Sequence, residues 1–190
     1  MRKERVGFAM CGSFCTHGAV LEALKQLTEQ YEAVTPILSE ITATTDTRFG
    51  ASGDLVKQLE TLTGRQVLCD ISSVEPIGPK GLLDVLVIAP ATGNTIAKLA
   101  AGITDTAITM AAKAHLRNGK PVVIALASND GLAAGAKNIG ELLVRKHYYF
   151  VPFGQDQAFQ KPCSLVADFS KLPETVDAAL RGEQLQPILL

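Results

Sequence analysis

The chain has 190 residues, 47% of them hydrophobic and 19% charged, with a formal net charge of -1. A chain of this size suits one domain, spanning 1–190, and buries roughly 70% of its unfolded surface. The scattered Lys and Arg exclude a nucleic-acid footprint, and no apolar run approaches membrane-spanning length. Before Cys11 there are only five apolar-type residues, too few for a signal-peptide core. The four cysteines (Cys11, Cys15, Cys69, Cys163) lack a disulfide-framework spacing, and no second pair matches Cys11 and Cys15 as metal ligands. A reduced, cytoplasmic setting with no metal is the expectation.

Strand and helix patterns then alternate. Val6–Met10 reads as a strand. Ala19–Leu27 has helical spacing at Val20, Leu21, Leu24 and Leu27. Ala33–Leu38 is a second strand, with Pro36 near its end. Ser52–Leu62 is a helix with Leu55, Val56, Leu59 and Leu62 on one face, and Ser52 suits its N-cap. Val67–Ile71 is a short third strand. Val85–Ala89 is a fourth, and its continuous apolar run fits a strand buried on both faces. Helices follow near Thr95–Ala101 and over Thr106–Leu116, the second stopped by Asn118-Gly119. Pro121–Ala127 is the fifth strand, Ile139–Val144 a helix, Tyr148–Pro152 the sixth strand and Pro173–Leu180 the last helix. Pro76–Gly81 and Phe153–Pro162 read as site loops. The fold class is α/β, a Rossmann-like or flavodoxin-like three-layer α/β/α sandwich with a six-stranded, mainly parallel sheet.

Ligands of such sheets bind outside the carboxyl ends of the strands. Three strand ends carry small polar residues: Cys11-Gly12-Ser13-Phe14-Cys15-Thr16, Pro90-Ala91-Thr92-Gly93-Asn94-Thr95 and Ala127-Ser128-Asn129-Asp130-Gly131. The strands Val6–Met10, Val85–Ala89 and Pro121–Ala127 are expected to be neighbours, so that these turns converge. A glycine, backbone N–H groups and a hydroxyl at a helix start suit an anion such as phosphate, although Gly12 alone is no dinucleotide fingerprint. His17, which opens the first helix close to the first of these turns, is read as an exposed helix-start residue, with contact to a ligand as the alternative. His115 and His147 are read as surface residues, and the Lys113/Arg117 pair as a solvated face.

The segment Asp84–Asp105, DVLVIAPATGNTIAKLAAGITD, resembles the FMN-binding cysteine decarboxylase-like flavoproteins, whose Pro-Ala-Ser-Ala-Asn-Thr type motif is matched by Pro90–Thr95. Thr45–Gly50, Val151–Asp156, Lys161-Pro162 and Gln184–Leu189 resemble a narrower family, the B subunits of dipicolinate synthases. That resemblance covers nearly the whole chain. It implies one half of a two-subunit oxidoreductase that converts dihydrodipicolinate, or its hydrated precursor, to dipicolinate with NAD(P)+. The partner, the A subunit of dipicolinate synthase, carries the nicotinamide. The resemblance further implies homo-oligomers and the mother-cell cytoplasm of a sporulating bacterium. The alanine-rich stretch (Ala97, Ala100, Ala101, Ala107, Ala111, Ala112, Ala114) suits close helix packing, between chains or within one.

The residues expected to contact FMN are Gly12, Ser13, Phe14, Ser39, Thr92, Gly93, Asn94, Thr95, Ser128 and Asn129. A small dicarboxylate substrate calls for cations. Arg48 is the first candidate, followed by Lys161 and Lys80, each beside a proline. Two departures bear on the chemistry. Decarboxylases of the superfamily carry a catalytic histidine eight residues before the acidic residue of the fourth strand, where this chain has Pro76. Of their Pro-x-Met-Asn clamp only Asn129 remains, after Ser128. No catalytic acid or base is assigned. The alternatives are an independent FMN decarboxylase or prenyltransferase, and a non-catalytic scaffold for the A subunit.

Overall fold

The continuous apolar runs become strands with both faces covered, and these set the architecture. A computed structural model describes residues 1–190. Seven strands form one sheet: β1 (Arg2–Met10), β2 (Tyr31–Leu38), β3 (Val85–Ala91), β4 (Val122–Ser128), β5 (Tyr148–Phe150), β6 (Phe153–Gln155) and β7 (Leu165–Ala167). Every residue of β3 and β4 is buried. The five parallel strands run in the order β2-β1-β3-β4-β5, a doubly wound order with its switch point between β1 and β3.

Eight helices cover the sheet: α1 (His17–Gln30), α2 (Glu40–Thr44), α3 (Ser52–Thr63), α4 (Ile71–Val74), α5 (Gly93–Ala101), α6 (Ala107–Leu116), α7 (Ala136–Leu143) and α8 (Leu172–Leu180). α1 and α8 pack on one face, and α5, α6 and α7 on the other, which makes three layers. One apolar core joins them, from Phe8 and Met10 of β1 to Leu172 and Val176 of α8. No helix is long and apolar enough to cross a membrane.

The sheet departs from the six expected strands in two places. Val67–Ile71 contributes only a single bridge, Leu68 to Ile37. Its last residue opens α4 instead, because Asp70 and Ser73 form a capping box there. The second departure is the antiparallel pair β6 and β7, three residues each: β6 opens the segment read as a site loop, and β7 lies in a stretch given no element. β7 pairs with Ala127 and Ser128 of β4, beyond the point where β5 stops at Ile124. Strands this short carry no periodicity to read.

Two side chains also differ from expectation. Ala51, not Ser52, is the N-cap of α3; the Ser52 amide and hydroxyl donate to Asp46 at 2.8 and 3.0 Å. His115 is buried rather than on the surface. The chain turns back at Asn118-Gly119 beneath α6, and the ring of His115 bonds the Pro121 carbonyl at 3.0 Å. Burial lowers its pKa to about 4. Lys113 and Arg117 are exposed, as is His147.

Asp84, the residue before β3, ties the amino side of the sheet together. Its carboxylate accepts from the Arg5 backbone N–H, Nε and Nη2, each at 2.9 Å, and from Lys120 Nζ at 2.8 Å. Arg5 lies in β1, and Lys120 enters β4. These hydrogen bonds hold the Asp84 carboxyl well below the usual carboxylate range. Its contribution is therefore full above the ordinary carboxylate pKa of about 4 and is lost as pH falls through the lower folded value. Asp84→Asn is expected to destabilise the fold by about 2 kcal/mol at pH 7. Urea unfolding against pH checks this, with the wild-type advantage shrinking below about pH 4.

Candidate functional site

β1, β3 and β4 are adjacent, so the turns at their carboxyl ends meet. They enclose a crevice of about 430 Å³. Gly12, Ser13 and Phe14 line it from the first turn, Thr92, Gly93 and Asn94 from the second, and Ser128 and Asn129 from the third. Two expected residues do not line it. Ser39 is the N-cap of α2, with its hydroxyl 2.8 Å from that of Thr42. The Thr95 hydroxyl lies behind the turn, 3.1 Å from both Thr92 Oγ1 and Cys11 Sγ.

Local chemistry builds the second turn. Thr92 caps α5 by accepting from the Thr95 N–H. The amides of Gly93 and Asn94, first in the helix, have no acceptor within it. They add the positive end of a helix dipole to the crevice. Gly93 allows this close approach, because a Cβ there would sit 2.7 Å from Ser128 Oγ and 2.8 Å from Asp130 Oδ1. Ser128 donates to Asp130 Oδ1 at 2.5 Å. Asp130 thus enters the crevice wall beside the two neighbours that the loop pattern favours. Its signal is the Ser-Asn-Asp-Gly run, which specifies a tight turn without saying which side chain faces inward.

The hydroxyl of Ser13 and the side-chain amides of Asn94 and Asn129 form no hydrogen bonds within the protein, and Arg48 has no acidic partner. Arg48 lines the crevice, and its guanidinium lies 4.9 Å from the centroid of the Phe49 ring. Its loop is pinned by a two-way backbone pair between Thr47 and Gly50 at 3.0 and 3.1 Å. Lys161 is placed differently. It pairs with Asp156 at 2.8 Å and borders a neighbouring recess that shares Asn129 with the crevice. Lys80 lies in the turn that leads into β3, at the amino end of that strand.

A second hollow, of about 410 Å³, adjoins the crevice and shares Phe14, Cys15 and Phe49 with it. The sequence does not mark it, because its lining is scattered over α1, α2, α3 and the Thr45–Gly50 loop and only the fold brings these residues together. His17 lies in it and is buried, not exposed as expected. The polypeptide turns back at Ser13–Thr16, which lays the ring against the Cys11 carbonyl, 2.9 Å from Nε2. Burial lowers the His17 pKa. Cys11 is fully enclosed, and burial pushes its thiol up to about 11. No group of His, Cys, Asp and Glu side chains is arranged to hold a metal.

A doubly wound sheet with a donor-rich crevice at its β1/β3 switch point is the architecture of a flavin-nucleotide-type binding protein. The Flavoprotein family model matches residues 1–153, and the chain belongs to that family. Over all of its 190 residues it is 43% identical to the B subunit of dipicolinate synthase from Bacillus subtilis (strain 168), of which 95% is covered. The crystal structure of the B subunit of dipicolinate synthase from Bacillus halodurans superposes with a TM-score of 0.90 at 45% identity, covering 98% of this chain and 96% of that one. The FMN-dependent cysteine decarboxylase SpaF shares the fold, with a TM-score of 0.71 at 24% identity over 94% and 95% of the two chains.

Of the four free cysteines, Cys15 is exposed at the rim shared by the two hollows and Cys11 is buried. Iodoacetamide is expected to modify Cys15 first and Cys11 only on unfolding. Peptide mass spectrometry over a time course checks the order.

Proposed function

We propose that this chain is the flavoprotein half of a two-subunit oxidoreductase that converts dihydrodipicolinate, or its hydrated precursor, to dipicolinate with NAD(P)+. It acts with a partner, the A subunit of the synthase, which carries the nicotinamide, in the mother-cell cytoplasm during sporulation. Residues 1–190 act as one domain within a homo-oligomer. The observation that carries the reading is Arg48, a cation without an acidic partner on the wall of a crevice rich in free donors. A planar guanidinium binds a carboxylate through two parallel hydrogen bonds. Lys161, paired with Asp156 at the recess that shares Asn129 with the crevice, is the cation proposed for a second carboxylate.

The same crevice fits FMN. A phosphate needs donors that no other group has taken, and Ser13, the Gly93 and Asn94 amides and the Asn129 side chain supply them. The lack of a Cβ at Gly93 keeps that backbone open. FMN would supply two-electron redox chemistry there, and the protein would bind and orient it. In the family's decarboxylases a histidine stands where this chain has Pro76, within the turn Glu75–Ile77. Proline transfers no proton, which argues against decarboxylation. A cofactor-free scaffold for the partner chain is the second reading. Asp130 favours it, because a carboxylate faces the crevice and occupies the Ser128 hydroxyl.

In the reconstituted two-subunit enzyme, Arg48→Ala is expected to cut kcat/KM for dipicolinate formation about 100-fold, the loss of a charge-assisted pair of hydrogen bonds. Circular dichroism should be unchanged, since Arg48 supports no other element. Unchanged kinetics would remove Arg48 from the site.

A further inference from the structure

The oxidation proposed above must release a proton as well as a hydride; Arg48 and the crevice hydroxyls are not suited to take it, and the crevice carboxylate, Asp130, is engaged by the Ser128 hydroxyl. His17 is. It is the first residue of α1 and only 9% exposed. Its Nε2 lies 2.9 Å from the Cys11 carbonyl oxygen. A carbonyl only accepts, so Nε2 carries the hydrogen and Nδ1 keeps a bare lone pair. Nδ1 forms no hydrogen bond within the protein, and no buried side-chain nitrogen or oxygen in the molecule lacks a partner. Nδ1 therefore meets solvent, and the 410 Å³ hollow is where this ring opens to it.

The surroundings keep the ring neutral. Burial disfavours the imidazolium, and so does the amino end of a 14-residue helix. Phe14 packs against the ring with centroids 5.2 Å apart, which fixes its plane. The ionisable groups around it are Cys11 behind it, directly after β1, Cys15 on its own loop and Asp54 on α3. α2 presents Thr42 and, at its end, Thr45. The hollow thus offers acceptors and no cation, whereas the crevice holds Arg48. Phe14 and Phe49 border both spaces.

We propose that Nδ1 of His17 accepts the ring proton as the dihydropyridine dicarboxylate becomes aromatic. This rests on the function proposed above. Two C–H bonds on adjacent ring carbons break. One hydrogen leaves with its electron pair as a hydride equivalent, whose final acceptor is NAD(P)+ held by the partner chain. The other leaves as a proton to Nδ1, and its bonding pair becomes the new ring double bond. The imidazolium so formed returns the proton to water through the hollow. Arg48 anchors the dicarboxylate in the donor-rich crevice, and His17 works from the acceptor-rich hollow beside it.

The test is His17→Gln in the full-length chain assembled with its partner. Glutamine still offers an N–H to the Cys11 carbonyl but has no basic nitrogen. The expected result is a kcat lower by about 100-fold or more with KM little changed, and loss of the acid limb of the wild-type pH profile. Nitrogen-15 histidine spectra of the isolated wild-type chain should show Nδ1 unprotonated at neutral pH. An active wild type with an equally active His17→Gln enzyme overturns this step alone, as does an Nδ1–H tautomer. A wild-type complex that forms no dipicolinate overturns the reading of the function, and this step falls with it.

Discussion

The carboxylate of Asp84 holds three strands in one register. It takes hydrogen bonds from Arg5 in β1 and from Lys120 at the entrance to β4, and it stands directly before β3. In a parallel sheet a shift of one residue turns every side chain to the other face. Fixing the amino ends of β1, β3 and β4 therefore fixes where their carboxyl ends stop. Those ends are the three turns of the crevice, on the far side of the sheet from the clamp. The ionic cluster touches no ligand, and the placement of Ser13, Thr92 and Ser128 depends on it.

From that frame the site divides into two unlike halves. The crevice collects donors: the free amides of α5, the Ser13 hydroxyl, Asn129 and the unpaired guanidinium of Arg48. The hollow beside it collects acceptors, with Asp54, threonine hydroxyls and the lone pair of a neutral His17. An anion settles in the first, and a group that gives up a proton fits the second. Two aromatic rings, Phe14 and Phe49, border both spaces, and Phe49 lies on an exposed loop with more than half its surface in solvent. A second chain covering that loop would exclude water from both halves and strengthen their electrostatics.

Much of this was legible in the residues. The run Val85–Ala89 is apolar throughout and ends abruptly at a cluster of small polar residues. That pattern implies a central parallel strand with a turn at a site, and β3 and α5 follow it. The adjacency of the three site strands was legible from the same pattern. What the residues concealed was tertiary in origin. β6 and β7 are too short to show a period and exist because β4 offers them an edge at Ala127 and Ser128. Val67–Ile71 has strand composition, but the Asp70–Ser73 capping box claims its end for a helix. His17 and His115 look like surface residues on their helices, and each is drawn inward by a single backbone carbonyl. Ser39 has the right chemistry for a ligand and spends it on the start of α2.

Whether the crevice works as a flavin site turns on the balance between its free donors and the carboxylate of Asp130. An absorbance spectrum of the purified chain, taken after adding FMN and desalting, reads that balance directly. Retained flavin bands are expected, and they should be lost in Gly93→Ala, where the new methyl group would press on Ser128 and Asp130. A chain that leaves the column colourless, both alone and assembled with its partner, would contradict a flavin site and leave a scaffold that kept the fold without the cofactor.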